Sequence, residues 1–252
     1  MTRGFAIDPT GTTSPDTPPA SRPQVGMLLY PGLTLLDLLG PQTALSHVMD
    51  VHLLWKTRDE PVVTDTGIRV FPTMSLAECP SRLDVLFVPG GPGMNGVMRD
   101  HDVLQFLADR GAAAGWVTSV CSGSIVLGAA GLLDGYRATS HWGAVDMLPL
   151  VGAVPVTERV VTDRNRITAG GVTAGLDFGL TLIARLLDEQ TALAVQLSME
   201  YDPRPPFDAG TPSGRDVTPE LLRRVDASMG DVGEGALAAL RDLGYGLTPA
   251  ST

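Results

Sequence analysis

A β-type apolar run, Trp116-Val-Thr-Ser-Val120, stops at Cys121, and a helix-type run, Ile125-Val-Leu-Gly-Ala-Ala130, starts four residues later. Only Ser122, Gly123 and Ser124 lie between them. So short a passage from strand to helix forces a sharp bend and presents the side chain at that bend on strained backbone. The first N–H groups of the new helix lack partners within the helix and point back at it. Together with the helix dipole they favour thiolate over thiol, so the pattern predicts an α/β fold with a nucleophilic cysteine of lowered pKa. A packed structural cysteine is the alternative. The small residues flanking Cys121 argue against it, since a core thiol needs no clear approach.

The remaining pattern agrees with this corner. From Gln24 onward, strand-type and helix-type segments alternate, which predicts a mostly parallel sheet covered by helices. Val25–Tyr30, Val51–Trp55, Asp84–Val88 and Trp116–Val120 read as strands. Leu35 to Val48 has helical spacing, with a break or restart expected at Gly40-Pro41. Thr173–Leu187 and Thr191–Met199 read as two further helices. Residues 1–23 are polar and proline-rich and read as a disordered leader with no signal region. Thr218–Val225 reads as a short helix, and the glycine-containing remainder of 213–252 as a weakly ordered tail.

Composition removes several function classes. With a net charge of −10 the chain lacks the clustered positive charge that nucleic acid or an anionic membrane demands. No apolar stretch approaches the roughly 20 residues of a membrane span. A cytoplasmic protein is expected. Two cysteines, Cys79 and Cys121, leave no disulfide framework or zinc cluster, and no His/Cys/Asp/Glu group has metal-ligand spacing. Lys56 is the single lysine, which leaves one poor candidate for Schiff-base chemistry.

Other residues invite a chemical reading. Asp37 sits among four leucines at a strand–helix junction, where it either caps the helix or faces a dry pocket that would raise its pKa. Pro89-Gly-Gly-Pro-Gly93 follows a central strand, so Gly90 and Gly91 either form a plain tight turn or aim a backbone N–H at a ligand. It is not a dinucleotide fingerprint, because the G-x-G-x-x-G spacing is missing. Gly170-Gly171 is a weaker signal of the same kind. His141 ends a short strand after the cysteine and is a candidate base, although no third carboxylate is visible beside it. His47, His52, His101 and Cys79 read as structural. Tyr30, Gly90 and Cys121 all fall at the carboxyl ends of strands, where open α/β sheets place their sites.

These residues together resemble the DJ-1/PfpI superfamily, and more closely its isocyanide (isonitrile) hydratase branch. The matching stretches are Leu36-Asp-Leu-Leu-Gly-Pro41, Phe87-Val-Pro-Gly-Gly91, Thr118-Ser-Val-Cys-Ser-Gly-Ser124, Gly128-Ala-Ala-Gly-Leu-Leu133, Ala138-Thr-Ser-His-Trp142, Gly170-Gly-Val-Thr-Ala-Gly175 and Glu200-Tyr-Asp-Pro-Arg-Pro-Pro-Phe207. The likeness spans about Val25 to Pro212, and the arm from Glu200 to Phe207 is its hydratase-like part. It implies a flavodoxin-like three-layer α/β sandwich over residues 24–212, a homodimer, a small isonitrile substrate and no cofactor. By the same resemblance Cys121 is the nucleophile and Asp37 its acid/base, with backbone N–H groups of Gly91 and Ser122 as donors to developing charge. Ser122 replaces the threonine of the hydratase pattern, and loss of the methyl frees its χ1. His141, Gly90 and Gly171 are secondary positions.

Two other functions fit the same residues. One is a different cysteine reaction on this fold, such as α-oxoaldehyde hydration or amide hydrolysis; the acid in such branches is usually glutamate, so Asp37 favours the hydratase. The other is a redox sensor or regulator. The AraC-type relatives carry a basic DNA-binding module after this domain, whereas only about 40 residues, net acidic, follow Pro212 here.

Overall fold

The computed structural model describes residues 21–245. Residues 1–20 of the leader expected over 1–23, and the last part of the tail, 246–252, lie outside the described residues. The elements in order are β1 (Gln24–Leu28), α1 (Leu35–Ser46), β2 (Asp50–Trp55), β3 (Val62–Val63), β4 (Arg69–Val70), β5 (Met74–Ser75), β6 (Val85–Val88), α2 (Met94–Met98), α3 (His101–Ala113), β7 (Trp116–Val120) and α4 (Gly123–Ala129). There follow β8 (Arg137–Ala138), a 3₁₀ segment (Val145–Val151), β9 (Val154–Pro155), β10 (Val160–Asp163), β11 (Arg166–Ala169), α5 (Ala174–Leu186), α6 (Glu189–Ser198) and α7 (Pro219–Asp242).

The main sheet runs β10-β11-β7-β6-β1-β2-β5, and only the edge strand β10 is antiparallel to its neighbour. The central strands are buried from end to end, which is why β6 reads as the unbroken run Val85-Leu-Phe-Val88 rather than as an alternation. α1 and α5 pack together on the sheet, and α4 packs on β6 and β7 with α2 and α3 beside it. Sheet and helix layers make the α/β sandwich that the segment alternation predicts. The inner order β2-β1-β6-β7-β11 is the doubly wound order 2-1-3-4-5, so the topological switch point lies between β1 and β6. A ligand crevice belongs there, at the carboxyl ends.

Two expectations need correction. The first concerns Gly40-Pro41, which does not interrupt α1: the helix continues through it to Ser46. Proline removes only the donor that the Asp37 carbonyl would have used four residues on. Its ring instead packs against α5 at Gly175, where an added Cβ would lie 2.9 Å from the Pro41 Cδ.

The second concerns the C-terminus, where the short helix and loose tail are replaced by a 24-residue helix. Thr218 caps it, its Oγ1 accepting from the Leu221 N–H at 3.1 Å, and Pro219 occupies the first turn. Ala236, Ala239 and Leu240 are buried against the body. Asn95 Nδ2 donates to the Val232 carbonyl at 3.2 Å, and Arg99 pairs with Asp242 at 3.2 Å. Just past the helix, the Tyr245 hydroxyl donates to the Gly128 carbonyl at 3.2 Å.

Candidate active site

Cys121 has φ = 58°, the left-handed region that a β-carbon makes costly, so the bend is a true nucleophile elbow. Its backbone is held on both sides. The N–H donates to the carbonyls of Ala169 and Gly170, at 3.0 and 3.1 Å. The carbonyl accepts from Ser140 Oγ at 3.0 Å and Ser124 Oγ at 3.3 Å. These four contacts offset strain that an isolated residue would relax.

Thr34, not Asp37, is the N-cap of α1, and the Asp37 side chain lies fully buried beside the elbow. Its Oδ2 accepts from the Gly90 N–H at 3.1 Å. Oδ1 is buried without a conventional hydrogen-bond partner, and the carboxyl stands close enough to the Cys121 thiol for each to shift the other's proton affinity. Burial is the largest influence on Asp37 and pushes its pKa up to about 7, against the opposing pull of the thiol and the Gly90 N–H.

The thiol departs from expectation. Burial, followed by the neighbouring Asp37 carboxyl, holds Cys121 well above the usual thiol pKa, despite donors from the Ser122 N–H and hydroxyl. Removing the sulfur from water outweighs what the helix start supplies. The predicted low-pKa cysteine is therefore a thiol at rest, and its ionisation depends on a proton acceptor.

The glycine loop is a tight joint rather than an open cradle. A Cβ on Gly90 would lie 2.6 Å from the Ser122 nitrogen and 2.7 Å from the Cys121 Cβ, so only glycine lets β6 and β7 bring their ends together. The Gly91 N–H, expected to face the substrate, donates to Ser122 Oγ at 3.1 Å. That contact also fixes the Ser122 hydroxyl, which the lost methyl was expected to free. The hydroxyl also lies near enough to the sulfur to pull the thiol's pKa down.

His141 follows β8 in a turn, the strand being shorter than expected, and its ring borders the same cavity. Nδ1 accepts from the Gly143 N–H at 3.1 Å, and burial lowers the ring's pKa. A neutral imidazole with Nδ1 so engaged carries its hydrogen on Nε2 and is a donor, not a base. Gly171 serves it sterically: a Cβ there would lie 2.2 Å from the His141 Cδ2. Cys79 sits apart from this cluster, its sulfur near the Pro80 carbonyl.

A cavity of about 340 Å³ opens above Cys121 and Ser122. Thr34, Met94, Met147 and Val172 line it, and so do Ser228, Met229, Val232 and Gly233 of α7. None of these eight was singled out from the sequence. The α7 residues recur at helical spacing with Leu222, Val225 and Ala236, but Gly230, Gly233 and Gly235 dilute the apolar signal. Among the described residues no group of three or more His, Cys, Asp or Glu side chains could hold a metal ion.

The DJ-1/PfpI family model matches residues 23–185. The chain belongs to the DJ-1/PfpI family. It is 51% identical over 191 residues to an isonitrile hydratase of Pseudomonas putida, a match covering 75% of this chain and 83% of that protein. It is 32% identical to the HTH-type transcriptional regulator GbdR of Pseudomonas aeruginosa over 76% of its length, and spans only 54% of that regulator. The solved structure of a ThiJ/PfpI family protein from Pseudomonas syringae superimposes with a TM-score of 0.84 at 45% identity, covering 87% of this chain and 91% of that one.

Proposed function

We propose that this chain is an isonitrile hydratase, converting an isonitrile and water to an N-substituted formamide through a covalent thioimidate on Cys121. The observation that carries the reading is the Asp37 carboxyl buried beside the elbow thiol, with its pKa near neutrality. The 51% identity to a protein of that activity supports it.

The pair works with one proton shared between thiol and carboxyl. Transfer of the thiol proton to Asp37 leaves a thiolate, and the sulfur bonds to the isonitrile carbon. The carbon lone pair then takes the proton from Asp37, giving a thioimidate and a carboxylate. That carboxylate removes a proton from water as the water oxygen bonds to the thioimidate carbon, and the nitrogen receives the proton. Breaking the C–S bond, with the hydroxyl proton returning to sulfur, releases the formamide and the thiol. The Ser122 N–H and hydroxyl, which both pull the thiol's pKa down, stabilise the charge the sulfur carries when it attacks and leaves. Ionising the thiol, protonating the carbon and activating the water each need the carboxyl to give or take a proton near neutral pH.

The same reading makes the protein a cytoplasmic homodimer that acts on a small molecule and binds neither nucleic acid nor membrane. No helix among the described residues is long and apolar enough to cross a membrane. Exposed apolar side chains at Leu36 and Leu39 on α1 and at Leu193 and Leu197 on α6 are the kind of surface a second subunit covers.

The test is to incubate pure protein separately with cyclohexyl isocyanide and with methylglyoxal. Formation of N-cyclohexylformamide, abolished by Cys121→Ala, is the expected result. Fast methylglyoxal consumption beside negligible formamide would falsify the assignment.

A further inference from the structure

We propose that α7 sets the substrate range of this site, with Met229 and Val232 as the specificity-determining residues, and that the group it admits is neutral, compact and apolar. The inference rests on the hydratase reading for its reaction and on the cavity for its chemistry.

Three observations lead to it. The floor of the cavity is the reaction machinery, Cys121 and Ser122, and it is common to any substrate of the reaction. One wall comes from α7, whose Met229 and Val232 line the cavity together with Met94 and Met147. Thioether side chains fill irregular space and adapt to an apolar guest. The helix is also placed firmly at this point: the Val232 carbonyl accepts from Asn95, and Ala236, Ala239 and Leu240 are buried just beyond it. Met229 also reaches the His141 turn, since a Cβ on Gly143 would lie 3.0 Å from the Met229 Cε.

Size and charge then define the guest. At about 340 Å³ the cavity lies at the small end of the roughly 300–1,000 Å³ typical of ligand sites, enough for a single ring or a branched alkyl group. No Asp, Glu, Lys or Arg is among its lining residues, and His141 is held neutral. A carboxylate-bearing isonitrile would leave its charge without a partner, so burial there is strongly unfavourable.

The experiment compares kcat/KM for methyl isocyanide, cyclohexyl isocyanide and isocyanoacetate. Wild type should prefer cyclohexyl isocyanide to isocyanoacetate by about a hundredfold or more. Met229→Trp should cut the cyclohexyl-to-methyl ratio by about tenfold or more, chiefly through KM. Met229→Ala, which cannot clash, should shift the preference toward bulkier substituents such as adamantyl. Ratios within twofold of wild type in both variants, or a preference for isocyanoacetate, overturn the proposal. Calorimetric binding of N-cyclohexylformamide and N-formylglycine to Cys121→Ala reads the cavity without turnover. A clear preference for the cyclohexyl compound alongside no isonitrile hydration by wild type removes the hydratase reading and keeps the cavity assignment. Equal or reversed affinities remove the cavity assignment itself.

Discussion

The elbow at Cys121 and the helix α7 both face one cavity, yet they are built by opposite means. The elbow is fixed from within a few residues of itself: a strand stops, the backbone turns through φ = 58°, and α4 begins. Its ties to Ala169, Gly170 and Ser140 reinforce a shape that the local sequence already imposes. α7 is fixed by what it lies against. Its short side chains gain little from neighbours within the helix, and its place depends on Asn95, Arg99 and the burial of Ala236, Ala239 and Leu240. Chemistry is thus carried by a locally determined element and selection by a remotely determined one.

The contrast can be broken most severely at Asp37, which serves the elbow from the first turn of α1. Asp37→Asn keeps an acceptor for the Gly90 N–H but cannot exchange protons, and turnover should fall about 10²–10⁴-fold. Wild-type kcat/KM should rise with pH through about 7, as the pair loses its first proton, and this limb should vanish in the variant. Stability carries an independent signature. The folded pKa of about 7 lies above the reference value of 3.8, so the native state binds more protons in between, and stability falls as pH rises from about 4 to 7. The loss is on the order of 4 kcal/mol at most. Urea unfolding at pH 5 and pH 8 should show it in wild type and not in Asp37→Asn.

At α7, Ala239→Asp puts an unpaired charge into a buried contact and should loosen the helix while leaving the sheet folded. Alkylation of Cys121 by iodoacetamide should then accelerate by about tenfold, because local opening exposes the sulfur. An unchanged rate would mean that α7 does not cover the cavity in solution. The smallest effect is expected at Ser122. Ser122→Ala removes one donor to sulfur but keeps its backbone N–H, and kcat should drop by about tenfold, less than the roughly 10²–10³-fold of an oxyanion-hole donor, because the backbone N–H remains. Ser122→Thr, which restores the hydroxyl, should recover most of it.

What the sequence reveals follows the same division. The alternation of segments, the elbow and the carboxyl-end placement of Gly90 and Cys121 are legible because each depends on nearby residues. Asp37 is legible only as two options, since the choice between capping and pocket depends on Gly90 and Cys121 arriving from other strands. The thiol's high pKa is hidden for a different reason: helix N–H groups can be counted from sequence, but depth of burial cannot. α7 is hidden because Gly230, Gly233 and Gly235 interrupt its stripe, and the surface that stabilises it is assembled from distant segments.

The joint at Gly90 has a consequence for how such a protein changes over time. The space any added carbon would need is occupied by the nucleophile's own Cβ and by Ser122, so the reacting end of the molecule is closed to gradual tinkering. Innovation is therefore channelled to α7, where cavity-lining side chains can be exchanged piecemeal and new compounds brought to an unaltered sulfur.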